Sequence, residues 1–149
     1  MRPLKILAIA SSGGHWIELL RLRPLFEEND TRFVTTRACD TPPSGEHPVT
    51  IVADAARDSP LRFVWAALSL LMVFGRFRPD VVITTGAGPG LVAMIIGRLF
   101  GAHTIWLDSI ANTEEISMSG KLASGANLRL TQWPELAGTD GFVYFGTIL

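Results

Sequence analysis

The sequence predicts an α/β protein built on a doubly wound parallel sheet. Two observations carry this. Short apolar runs alternate with helical patterns along the chain, which is the signature of strands joined by crossover helices. Several runs, such as residues 4–10, are apolar at consecutive positions, as in strands covered on both faces. The chain has 149 residues, enough for one domain with its own core, and residues 1–149 are read as that domain.

Residues 4–10 are the first strand. Residues 15–27 are a helix whose apolar face holds Trp16, Leu19, Leu20, Leu22 and Phe26, and Pro24 is expected to end or kink it. Residues 33–36 form a second strand, and the proline-rich stretch 37–48 a loop. Residues 49–52 form a third strand. A second helix covers 59–77, with Ser59 as its cap and Pro60 in its first turn. Residues 80–84 are a fourth strand, followed by a glycine-rich turn at 85–90. Helix 91–100 is apolar nearly all round and is expected to be buried, with Gly101 closing it. Strands at 103–107, 128–131 and 142–145 and a short helix near 119–124 complete the pattern.

Composition limits the function classes. Hydrophobic residues make up 48% and charged residues 18%, with a net charge of −1. Nothing points to nucleic acid. So few charges predict a surface covered by a partner subunit or a membrane. Cys39, the lone cysteine, has no internal disulfide partner and reads as an inert thiol. The apolar run at the start is too short for a bilayer, which needs about 20 residues, and reads as a strand rather than a signal peptide. Helix 59–77 allows two readings. It is either a buried crossover helix or a helix that dips into a membrane interface, with Arg57, Arg62, Arg76 and Arg78 at the headgroups.

Ligands of open parallel sheets bind beyond the carboxyl ends of the strands. Loops 11–15, 85–90, 108–118 and 132–140 should therefore share one edge. In the first, Gly13 and Gly14 permit a tight turn before a helix N-terminus, a place suited to an anion, and His15 stands at its lip. The dinucleotide fingerprint and the P-loop are both absent, and a plain strand-to-helix turn remains open. The turn Gly86-Ala87-Gly88-Pro89-Gly90 is a second anion candidate or a close-packing device. The third loop holds Asp108, Asn112, Glu114 and Glu115. Asp108 directly follows a buried strand and must be paired, solvated or functional. His103 reads as structural and His47 as exposed. No residues have metal-ligand spacing.

Five segments occur in order: Ser12-Gly13-Gly14-His15, Thr84-Thr85-Gly86, Ser117-Met118-Ser119-Gly120-Lys121-Leu122, Thr131-Gln132-Trp133-Pro134-Glu135-Leu136 and Tyr144-Phe145-Gly146. Together they resemble the membrane-anchor subunit of the two-subunit UDP-N-acetylglucosamine transferase of asparagine-linked glycosylation, whose bacterial relatives serve exopolysaccharide synthesis. The resemblance covers nearly the whole chain. It implies a Rossmann-like N-terminal half of a GT-B glycosyltransferase divided into two chains. A partner subunit would bind most of the UDP-sugar, which is a substrate, so no cofactor is implied. This chain would bind a polyprenyl-diphosphate-linked acceptor at the cytoplasmic face of a bacterial membrane.

On that reading His15, with Asp108 as second candidate, is the general base of an inverting transfer. Ser12, Gly13, Gly14, Thr85, Gly86, Gly88, Asn112 and Glu114 are the candidate substrate and diphosphate contacts. Phe63, Trp65, Leu68, Leu71, Met72 and Phe74 are the candidate membrane contacts. The leaving UDP would be stabilised by a helix dipole of the partner rather than a metal. The chain departs from the family in two places. The eukaryotic anchors carry an N-terminal transmembrane helix that is not seen here. Where many relatives have Glu-Ser and then an Arg, this chain has Asp108-Ser109 and then Asn112. Two alternatives stay open: a non-catalytic membrane scaffold, and a stand-alone Rossmann-like nucleotide-binding protein.

Overall fold

The computed structural model describes residues 2–38, 40, 47–54 and 59–148. Cys39, Arg57 and most of the 37–48 loop lie outside these. The chain forms an α/β fold of Rossmann-like type. Its seven strands are β1 (Lys5–Ile9), β2 (Asp30–Thr35), β3 (Val49–Ile51), β4 (Val81–Thr84), β5 (His103–Leu107), β6 (Leu128–Thr131) and β7 (Val143–Tyr144). They lie in the order β3-β2-β1-β4-β5-β6-β7, and every pairing is parallel. The connections diverge between β1 and β4, so the crevice favoured for ligands opens there.

Alternation along β1 feeds two cores. Ile6, Ala8 and Ala10 face α1 (Gly14–Leu20) and α2 (Arg23–Glu27), packing with Trp16, Leu19, Phe26 and Phe33. Phe33 packs T-shaped with Trp16 and Phe26 at centroid distances of 5.7 and 5.2 Å. Leu7 and Ile9 face the other side, under α3 (Pro60–Phe77), α4 (Ala87–Leu99) and α5 (Met118–Leu122). The expected helix 15–27 is two helices. A proline ring clashes with the carbonyl four residues back; for Pro24 that is Leu20, and α1 ends there.

Helix α4 starts four residues earlier than expected. Pro89 sits in its first turn, where a missing N–H breaks no bond. Two glycines let α4 lie close to the sheet. A Cβ on Gly90 would stand 2.2 Å from Thr84 Oγ1, and one on Gly97 would stand 3.0 Å from Thr104 and Val82 methyls. Gly90→Ala is therefore expected to destabilise the fold by about 1–3 kcal/mol through overpacking. The readout is a lower urea midpoint at constant m; an unchanged midpoint would show that the helix does not need this closeness.

Ser59 caps α3, its Oγ accepting from Arg62 N–H at 3.5 Å, as the sequence predicts. The helix is both a crossover helix and an exposed apolar surface. Ala66, Leu70, Phe74 and Phe77 pack against the core, while Phe63, Trp65, Leu68, Leu71 and Met72 face outward. Phe74 is thus a correction: it is 0% exposed and belongs to the core, not to the outer face. Helix α4 is also less buried than its composition suggests, since Ile95 and Leu99 are exposed. His47 is half-buried rather than exposed, its ring 5.7 Å from that of Phe33.

Candidate active site

Because every strand is parallel, the four loops lie at one edge, and hydrogen bonds lace them together. His15, in the first turn of α1, reaches the loop after β4. Its Nδ1 lies 2.8 Å from the Thr85 carbonyl, and the Thr85 hydroxyl donates to the His15 carbonyl at 2.6 Å. A carbonyl only accepts, so Nδ1 is the donor in this contact, and in the neutral ring Nε2 is the nitrogen with a lone pair. Gly86 (φ 125°) leaves room for the ring: a Cβ there would lie 3.0 Å from His15 Cε1. Thr85 is buried and clamps the histidine, so its side chain is not a substrate contact as expected.

Asp108 organises the third loop. Its Oδ1 accepts from Trp106 Nε1 at 3.0 Å and from the Ser117 hydroxyl; its Oδ2 accepts from Ser117 N–H at 2.9 Å and Asn112 Nδ2 at 3.2 Å. A carboxylate has about four lone-pair sites, and all are used. This corrects its candidacy as a general base. Asn112 likewise spends its amide on Asp108. Ser117 also caps α5 by accepting from Gly120 N–H at 2.9 Å, and a Cβ on Gly120 would stand 2.8 Å from Asp108 Oδ1. The Ser-Met-Ser-Gly-Lys-Leu segment is the frame of this buried acid. Gln132 Nε2 donates to the Asp108 carbonyl at 3.1 Å and Trp133 Nε1 to the Ile110 carbonyl at 2.8 Å. The Gln-Trp-Pro-Glu-Leu segment therefore ties the fourth loop to the third.

Two cavities flank His15. The larger, about 810 Å³, is bordered by Ser11, Ser12, Thr36 and Arg37 from the ends of β1 and β2, by Asp54, and by Ala87 and Gly88 of α4. Its other wall is apolar: Pro60, Phe63 and Val64 of α3, Leu91 of α4 and Leu122 of α5. The smaller, about 200 Å³, runs between Gly86, Ala87, Asp108, Asn112 and Ser119. Ser12 is held by two bonds, its N–H to Thr36 Oγ1 at 3.0 Å and its hydroxyl to Asp40 Oδ1 at 3.2 Å. Gly13 (φ 95°) and Gly14 make the turn but line neither cavity. Glu114 is exposed and lines neither, which corrects its place among the contacts.

Two residues of the site were missed by sequence reasoning. Glu18, one turn beyond His15, is only 6% exposed; its Oε1 accepts from the Ser109 hydroxyl and Ile110 N–H, both at 3.0 Å, and its Oε2 has no hydrogen-bond partner among the described residues. An acid flanked by Trp16, Ile17, Leu19 and Leu20 was the available signal. Arg37 is the single Lys or Arg among the described residues bordering the larger cavity, and its signal was a cation placed just after a strand. Among the described residues no cluster of His, Cys, Asp or Glu could hold a metal ion.

No protein-family model matches the sequence, and no curated protein is significantly similar to it. Solved structures share the fold. MurG of Acinetobacter baumannii is 14% identical with a TM-score of 0.75, over 99% of this chain and 46% of that one. UDP-N-acetylglucosamine 2-epimerase of Rickettsia bellii is 12% identical with a TM-score of 0.69, over 99% and 46%. The lipopolysaccharide outer core galactosyltransferase WaaB is 17% identical with a TM-score of 0.58, over 85% and 39%. The fold is therefore that of GT-B glycosyltransferases and UDP-sugar epimerases. The chain spans less than half the length of these structures.

Proposed function

We propose that this chain is one half of a UDP-sugar-dependent glycosyltransferase, supplying the acceptor side and membrane contact to a separate donor-binding subunit. The observation that carries this reading is the larger cavity. It sets the His15 ring, its Nδ1 turned to the Thr85 carbonyl, on a polar wall and faces it with an apolar wall continuous with an exposed apolar helix. A sugar hydroxyl needs the first surface and a lipid carrier needs the second. His15 Nε2 would take the proton of the attacking acceptor hydroxyl as it bonds to the anomeric carbon, with UDP leaving. Ser12, Gly88 and the loop after β4 border the place where the sugar and diphosphate would lie. From the family resemblance the transferred sugar is N-acetylglucosamine or a related sugar. Purifying the chain with its donor-binding partner and assaying a panel of UDP-sugars on a polyprenyl-diphosphate-linked acceptor tests this. Transfer from none of them would overturn it.

The membrane contact is interfacial. By length and composition α3 is long and apolar enough to cross a membrane, with 18 residues at mean hydropathy 1.4. Spanning would strip Leu70, Phe74 and Phe77 from the core. Lying in the interface uses the outer face instead: Trp65 is 65% exposed, and Leu68 and Met72 beside it are exposed too. Trp65→Ser with Met72→Ser is expected to lower partitioning onto anionic vesicles at least tenfold, since each large side chain contributes more than 1 kcal/mol. The fold should be kept, because both residues face outward. Unchanged co-sedimentation would remove α3 as the contact.

A further inference from the structure

The smaller cavity is bordered by His15 of α1 and by Ser109, Ala111 and Asn112 of the loop after β5. Glu18 lines neither cavity, yet it joins these two elements. It lies three residues after His15, a spacing that puts both side chains on one face of the helix. Its Oε1 accepts from the Ser109 hydroxyl and from Ile110 N–H, each at 3.0 Å. One side chain thus holds the loop against the turn that carries His15.

Folding alone gives little reason for an acid at this position. Glu18 Oε2 is buried and has no hydrogen-bond partner among the described residues, and a buried polar atom left unpaired costs stability. Ser109 and Ile110 are only half-buried, so water can satisfy both donors if the acid is removed. A methionine of similar length fills the space without the polar cost. What the acid supplies is a fixed distance between the loop and His15. Resting on the acceptor reading above, we propose that Glu18 is a positioning residue for the transfer. It fixes residues 109–112 against α1, and with them the place of the acceptor hydroxyl relative to His15 Nε2. Misplacing reacting groups by about 1 Å costs about 10²-fold in rate.

The test measures turnover of the assembled pair and melting of this chain on the same variants. Glu18→Met is expected to lower kcat at least tenfold, to leave KM for the UDP-sugar unchanged, and to leave Tm unchanged or higher. Glu18→Gln, whose amide oxygen can still accept both bonds, should recover most of the lost turnover. Ser109→Ala should lower kcat less than Glu18→Met and add nothing to it in the double variant, because both act through one tie. Glu18→Met that turns over like the wild type overturns the inference and leaves the acceptor reading standing. Loss of turnover and Tm together does the same, since a structural role moves both. Glu18→Gln as slow as Glu18→Met, with Tm kept, also overturns it, because charge rather than position would then be what matters. A wild-type pair that transfers no sugar overturns both.

Discussion

Replacing His15 by Ala is expected to lower sugar transfer by the assembled enzyme about 10²- to 10⁴-fold, the usual worth of a positioned general base. The expectation rests on one deduction. His15 Nδ1–H donates to the Thr85 carbonyl, so in the neutral ring Nε2 is the nitrogen left with a lone pair, on a residue that borders both cavities. The cost to stability should be small, about 1 kcal/mol for the bond lost to Thr85. Gly86→Ala offers an independent approach. A Cβ there meets the imidazole at 3.0 Å, so it should displace the ring and lower turnover while His15 itself is intact. Unchanged turnover in His15→Ala, with circular dichroism and melting preserved, would remove this residue as the base and favour the scaffold reading.

Asp108→Asn is expected to act in the opposite sense, on stability more than on chemistry. The amide nitrogen that replaces one oxygen would face two donors, in a pocket where the carboxylate is only 2% exposed. Losing charge-assisted bonds and opposing donors costs about 3 kcal/mol. For a domain of this size that lowers Tm by roughly 10 °C. The variant should lose the ordered 108–118 loop, the cap of α5 and the tie to Gln132 together. A variant that melts like the wild type yet loses turnover would instead restore Asp108 as a catalytic group.

Much of this architecture was legible in the sequence. Strands at 103–107 and 128–131 and the Ser59 cap follow from patterning and caps. So does the placement of His15, because a strand, two glycines and a helix leave the next side chain at the crevice. Other features need three dimensions. The sequence left Asp108 open as paired, solvated or functional because its four donors come from residues 106, 112 and 117, and only a folded loop brings them together. Thr85 looked like a ligand contact because its true partner is 70 residues away. Helix α3 is apolar on every side, so hydropathy could not choose the buried stripe; Ala66, Leu70, Phe74 and Phe77 are selected by the sheet beneath. The resemblance motifs were informative for a reason the sequence did not show. Ser117 and Gln132 hold the loops around one buried carboxylate.

The central claim is that this chain is one side of a shared cleft. It is tested most directly by measuring transfer from a UDP-sugar to a polyprenyl-diphosphate-linked acceptor with this chain alone, with the donor-binding subunit alone, and with both. Transfer only when both are present, abolished by His15→Ala in this chain, is the predicted result. Full transfer by the donor-binding subunit alone, or by this chain alone, would contradict it.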